Sequence, residues 1–269
     1  MTGWFNIFRA HLFADMCWYK NNRWLLFSYF IWPYLMVALI LGFGSLFGSI
    51  ESYSERLGVS SPILFLLSST VVAMSSISIV SSVAEFVIEN GWSGTLPYIM
   101  LTPAEMPIIF IAAGLPDAII SPLITMAAIF PAALYLEGIS GGIRILAILI
   151  FIFLGMLPLL GFSALIASLA LIAKEESNVG QIIIPFLLLV SGVYYPLEVL
   201  PSILQFIGRI MPVAYVVEAA RLFSKYMVPE IRFVLVLIYI LTIMTIAYNL
   251  IASLTLRGVN RAIRRKGVV

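Results

Sequence analysis

The chain has 269 residues, 62% of them apolar and 10% charged, with a formal net charge of +2 and a mean hydropathy of +1.10. A soluble globular domain is nearer half apolar and a quarter charged, so the composition sets a soluble all-helical core aside and points to a chain embedded in a membrane. One cysteine, Cys17, excludes an internal disulfide and any multi-cysteine metal site, and one histidine, His11, excludes a zinc motif of the H-E-x-x-H type.

Residues 1–22 come first. Trp4, Phe8, Leu12 and Met16 recur every four residues with Phe5 beside them, and Asp15 interrupts the stripe. This pattern predicts an amphipathic helix lying on the inner leaflet rather than a secretory signal, because no basic n-region and no small-residue cleavage site precede the first span. Six stretches then reach the roughly 20 apolar residues needed to cross about 30 Å of hydrocarbon. They run Trp24–Gly48, Pro62–Ile88, Pro107–Leu136, Ile145–Ala173, Val179–Leu197 and Ile231–Leu256. The expected fold is an all-α membrane protein of six transmembrane helices forming a single transmembrane domain over residues 1–269.

Basic residues orient it. Arg9, Lys20 and Arg23 precede the first span, Lys174 lies between the fourth and fifth, and Arg257, Arg261, Arg264, Arg265 and Lys266 follow the sixth. Short segments rich in Lys and Arg stay in the cytoplasm, so both termini are expected inside the cell membrane. The basic tail, residues 257–269, reads as an orientation signal and a contact for anionic membrane lipid, not as a nucleic-acid site.

In the second span Ser68, Ser75, Ser78 and Ser82 share one helical face. Close helix packing is the plainer reading, and a polar lining for a transport path the sharper one. Residues 89–106 follow, in "ENGWSGTLPYIMLTPAEMP". Thr95 is expected to cap a short helix with Pro97 in its first turn, and Thr102, Pro103 and Glu105 to form a capping box for the third span, whose first turns Pro107 should bend. An apolar segment held between two spans suits docking to a partner as well as it suits burial against its own bundle.

Only Glu85 and Asp117 are acids inside predicted spans. Glu85 lies near the cytoplasmic end of its helix. Asp117, between Pro116 and Pro122, reads either as a partner for backbone groups freed by those prolines or as an ion or proton relay. After the fifth span, "SGVYYPLEVLP" breaks the helix while the chain is still apolar. Beyond Pro201, Ile203, Phe206, Ile207 and Ile210 share a face, Pro212 ends that helix, and a second short helix places Glu218 three residues before Arg221. Residues 192–230 therefore read as a re-entrant outer hairpin, whose non-helical backbone must face protein or an aqueous path.

Residues Ser191–Arg221 closely resemble the hallmark segment of the permeases of type-2 ABC exporters. Gly192, Tyr195, Pro196, Leu197, Glu198, Leu200, Pro201, Pro212, Tyr215, Glu218 and Arg221 match it in type and spacing. "GTLPYIMLTP" is similar to the coupling segment of the same family at Gly94, Thr95, Leu96, Leu101, Thr102 and Pro103. That family usually carries an acid where Pro97 stands here, so no contact is carried over to that position. The resemblance implies a half-transporter: two permease subunits, as a homo- or heterodimer, driven by two separate ABC ATPase subunits. It implies that ATP and Mg bind those ATPases and that this chain carries no cofactor and is no enzyme, in keeping with its lack of a G-x-x-x-x-G-K-[ST] phosphate loop. It further implies that Glu89 and Gly94–Pro103 receive the ATPase, and that Ser202–Arg221 form an outer gate with Tyr194 and Tyr195 lining the exit. An ion-gradient-driven secondary transporter is the alternative; it would require more intramembrane charge and two discontinuous helices in related halves. An intramembrane enzyme is disfavoured because no His, Asp or Glu cluster occurs.

Overall fold

The computed structural model describes residues 4–47, 59, 61–173, 179–193, 195, 197–226 and 228–266, and their regular elements are all helical. In chain order these are α1 (Trp4–Asn21), α2 (Arg23–Phe47), α3 (Pro62–Trp92), α4 (Leu96–Leu101), α5 (Met106–Ala173), α6 (Val179–Val190), a 3₁₀ turn (Leu197–Val199), α7 (Ser202–Ile210), α8 (Pro212–Lys225) and α9 (Ile231–Lys266). Pro62–Trp92, Met106–Leu171 and Ile231–Arg261 are long and apolar enough to cross a membrane. Two bent pairs, Trp4–Asn21 with Leu26–Gly42 at 79° and Ser202–Ile210 with Pro212–Lys225 at 91°, raise the candidates to as many as five. The protein is an all-α membrane protein.

α3 is the axis of the bundle. In its most apolar window 78% of residues are buried, against 11% for α9, which lies at the periphery. Leu64, Phe65, Leu66, Leu67 and Ile79 are all enclosed, as expected of a helix that is apolar around its whole circumference. Three of its hydroxyls bond back to their own helix: Ser68 to the Phe65 carbonyl at 2.9 Å, Thr70 to Leu66 at 2.7 Å and Ser76 to Val72 at 2.7 Å, whereas the buried hydroxyls of Ser69 and Ser75 have no hydrogen-bond partner among the described residues. The serine face agrees with close packing. Ser68, Ser75 and Ser78 are buried inside the protomer, and Ser82 donates to the Ala113 carbonyl of α5 at 3.1 Å.

α5 contains the third and fourth predicted spans. Gly138, with φ 64° and ψ −152°, interrupts it in a region of backbone space that glycine adopts without penalty. The chain folds back there, so residues 106–137 and 139–173 run side by side. Gly114 faces Leu160: a Cβ at Gly114 would sit 2.9 Å from Leu160 Cδ2. At the turn, Arg144 and Glu137 form an ion pair of 2.8 Å, and the Ser140 hydroxyl donates to the Glu137 carbonyl at 2.8 Å. Pro107 falls in the first turn of α5, where its missing N–H removes no helical bond.

α9 packs on the second arm of α5 through an approach that only a glycine permits. A Cβ on Gly161 would lie 2.7 Å from the backbone of both Tyr248 and Asn249. Asn249 Nδ2 bonds the Leu157 carbonyl at 3.0 Å. Two other boundaries differ from expectation. α6 stops at Val190, not Leu197, so the described helix is only about 18 Å long at 1.5 Å per residue. The basic stretch after Leu256 is not a separate tail, since α9 continues to Lys266.

Candidate functional site

One end of the bundle is built from the end of α3, all of α4 and the start of α5. α3 terminates in a Schellman arrangement: Thr95 N bonds the Asn90 carbonyl at 3.0 Å and Gly94 N bonds Gly91 at 3.2 Å, with Gly94 at φ 70°. Gly94 is required for that left-handed residue. Thr95 does not cap α4. Its hydroxyl donates to Asn90 Oδ1 at 2.6 Å and so ties the loop back to α3.

α4 then has two faces. Met100 is buried and Leu96 and Ile99 pack beside it, in a cluster with Val83, Val87, Met106 and Phe110. Tyr98 and Leu101 point away, 74% and 64% exposed, and Trp92, the last residue of α3, is 65% exposed. Glu89, Thr102 and Pro103 are also exposed. The expected capping box does not form: the Thr102 hydroxyl donates to the Ile99 carbonyl at 2.7 Å, and Glu105 reaches α9 instead, pairing with Arg257 at 2.6 Å.

α1 lies against the same end. Trp4, Phe5 and Met16 are at least half exposed, while Phe8 and Leu12 of the predicted stripe are half-buried, so only the middle of the stripe turns towards the bundle. The inward face carries Ile7, His11, Asp15 and Tyr19. The His11 ring meets Phe86 edge-on with centroids 5.2 Å apart, and Phe86 in turn meets Phe110 at 5.9 Å. The buried Tyr19 hydroxyl donates to Asp117 Oδ1 at 2.8 Å. Asp117 is therefore hydrogen-bonded, but by a side chain of α1 and not by backbone freed at Pro116 or Pro122. Burial lowers the His11 pKa. Burial and then the charge of Asp117 raise that of Asp15 to about 7, and the same two causes in the same order raise that of Tyr19. Glu85 is exposed near the end of α3.

At the opposite end, α6 closes at Gly192, whose φ is 71°. The Tyr195 hydroxyl returns to the Leu189 carbonyl. Leu197, Glu198 and Val199 make one 3₁₀ turn, and Leu200 N bonds the Leu197 carbonyl at 3.1 Å. Pro201 precedes α7, and Gln205 Nε2 donates to the Leu200 carbonyl at 2.8 Å. α7 rests on α6 through Gly208, where a Cβ would be 2.3 Å from the Val190 carbonyl oxygen. Two tyrosines then hold the last carbonyls of α7: Tyr215 donates to Arg209 and Tyr248, from α9, to Ile210, each at 2.8 Å.

Pro212 opens α8, which buries Val213, Val216 and Val217. The Arg221 guanidinium lies over the Phe65 ring at 5.6 Å, and Glu218 is exposed. The predicted apolar face of α7 is not covered within the protomer, since Ile203, Phe206 and Ile210 are 73%, 67% and 43% exposed. Tyr194 and Pro196 lie outside the described residues.

A family model for the ABC-2 type transporter matches residues 16–223. The chain belongs to the ABC-2 type transporter family. No curated protein matches the chain. The matched region of this ABC-2 permease includes Tyr19, the Gly94–Pro103 segment, Asp117 and the whole of Gly192–Arg221. It is thus a multi-pass transmembrane component of an ABC-type transporter, distinct from a nucleotide-binding domain. Several residues of these sites escape sequence reasoning. Asn90, Tyr19 and Tyr248 each act through a partner far along the chain or across a turn, a relation that local periodicity does not carry. Tyr98 could have been found, because it stands two positions from Met100 and so on the other side of α4.

Proposed function

We propose that this permease is the membrane-spanning subunit of an ATP-driven exporter, working as a dimer and energised by separate ATPase subunits that dock at α4. The observation that carries the reading is the division of α4 into two faces. Met100 anchors it in the bundle while Tyr98 and Leu101 stand exposed, as does Trp92 at the end of α3. Exposed aromatic residues on a rigid support are what a protein interface uses for anchorage. The Schellman turn at Gly94 and the burial of Met100 against Val83, Val87, Met106 and Phe110 keep α4 from moving independently of α3 and α5. A push on α4 is therefore passed to the transmembrane arms.

On this reading α4 and both termini are cytoplasmic, in the cell membrane, and ATP with Mg binds the partner subunits. Closure of the ATPases on ATP displaces α4 and α1 and shifts the permease between inward- and outward-facing populations. The α6–α7–α8 segment, at the other end of the bundle, acts as the outer gate. Scarce intramembrane charge favours an apolar or amphipathic cargo over a highly charged one. The test is co-purification with a co-expressed ATPase encoded beside this permease. Tyr98→Asp with Leu101→Asp should reduce capture at least tenfold without lowering the yield of folded permease, since both side chains are exposed. Undiminished capture, or transport by the purified chain alone on an imposed ion gradient, overturns the proposal.

A further inference from the structure

α1 touches the bundle through a mixed face, where Ile7, Phe8 and Leu12 are half-buried alongside the polar His11, Asp15 and Tyr19. Tyr19 is only 7% exposed and its hydroxyl crosses to Asp117 on α5 at 2.8 Å. Asp15 stands one helical turn before Tyr19, on the same face. Asp15 and Tyr19 from α1, Tyr29 from α2 and Glu85 from α3 act on or are acted on by Asp117 from α5, Glu89 stands beside Glu85, and His11, one turn before Asp15 on α1, packs on Phe86. Among the described residues both salt bridges lie elsewhere, at Glu137–Arg144 and Glu105–Arg257, so no ion pair neutralises Asp15, Glu85 or Asp117. Docking α1 thus brings the carboxyl of Asp15 towards other acids without a cation to offset them.

We propose that Asp15, Tyr19 and Asp117 form a protonation-dependent clasp, which fastens α1 to the bundle when Asp15 is protonated and loosens it when Asp15 ionises. The direction follows from linkage. The docked Asp15 pKa is about 7, against 3.8 for the free residue. An acid that holds its proton more tightly when docked favours docking at low pH. The docking constant then falls about tenfold per pH unit between these two values and is level above the higher one. His11 works in the opposite sense. Its docked pKa is lowered from 6.5, so acidification below that value favours release. In the unaltered chain the two responses offset one another below about pH 6.5, and His11 must be removed to expose the Asp15 response.

This inference rests on the α1 contacts alone and stands or falls separately from the transport reading. The full chain in lipid nanodiscs, without any ATPase, carries a nitroxide on Cys17, its single cysteine. Spin-label mobility is recorded from pH 5 to 8.5. The His11→Gln variant should show an immobile α1 in acid and a mobile fraction that grows with pH and levels off above about 7. Adding Asp15→Asn should leave α1 immobile at every pH, and Tyr19→Phe should raise the mobile fraction across the whole range. A label at Ala10→Cys in a Cys17→Ala background, on the exposed side of α1, should repeat the titration with the probe away from the contact. A flat His11→Gln titration at both label positions overturns the clasp, as does an unchanged pH response after Asp15→Asn or an unchanged mobility after Tyr19→Phe.

Discussion

Three glycines separate clash from backbone strain and from neither. Gly161 has no room, because a Cβ would meet the α9 backbone at 2.7 Å and backbone cannot rotate away as a side chain can. Gly161→Ala is expected to cost about 1–3 kcal/mol, the usual range for overpacking a close contact. Gly94 has room on every side but sits at φ 70°, so Gly94→Ala should cost about 1–2 kcal/mol through conformation alone. Gly91, in the last turn of α3, has neither constraint. There Gly91→Ala should stabilise by up to about 1 kcal/mol, because alanine is the better helix former. Thermal unfolding of the purified permease in detergent ranks the three; a Gly161→Ala midpoint at or above that of Gly91→Ala contradicts the packing described between α5 and α9.

At the scale of elements, Glu105–Arg257 and the α7 face make contrasting predictions. The Glu105–Arg257 pair is half exposed on both sides, so Arg257→Gln should lower stability by less than about 1 kcal/mol and the difference should vanish in high salt. A larger, salt-independent loss measured by denaturation would mean that the pair is a structural tie and not a surface contact. Phe206 is exposed in the protomer, so Phe206→Ser should leave protomer unfolding unchanged while weakening the permease pair proposed above. Mass photometry reads that weakening directly, and an unaltered dimer fraction assigns the face to lipid. The elements themselves were largely legible in the sequence: the apolar runs mark α2, α3, both arms of α5 and α9, and Gly192 with Pro212 marks the breaks around α7. What was not legible is which face each short helix turns inward. α1 and α7 both expose residues of the stripe that their periodicity singles out, because near a membrane an apolar face need not seek the protein core. The capping box failed for a related reason. Thr102 and Glu105 carry the right spacing, but Glu105 pairs with Arg257, 152 positions away, a partner that local spacing does not foretell.

For the whole molecule, the arrangement is a central α3 wrapped by elements that each reach one of its two ends. α4, α1 and the end of α9 gather where α3 finishes, and α8 lies over Phe65, where α3 begins. The candidate site was legible as two sequence segments, but Asp117 illustrates what was missing: its role depends on Tyr19, 98 residues away, and only the fold brings them together. The turn at Gly138 has a consequence for how such a chain is made. Residues 106–173 form a ready-made hairpin, so both arms must enter the bilayer together and carry their tip through it. That tip holds one acid and one base, Glu137 and Arg144, already paired at 2.8 Å. Moving a neutral pair through hydrocarbon costs less than moving two separate charges. Glu137→Gln leaves Arg144 to cross alone, and should slow translocation of the tip in a glycosylation-mapping assay, while Glu137→Gln with Arg144→Gln should restore it. Restoration by the double variant would give the ion pair at the bend a part in biogenesis beside its part in the finished fold.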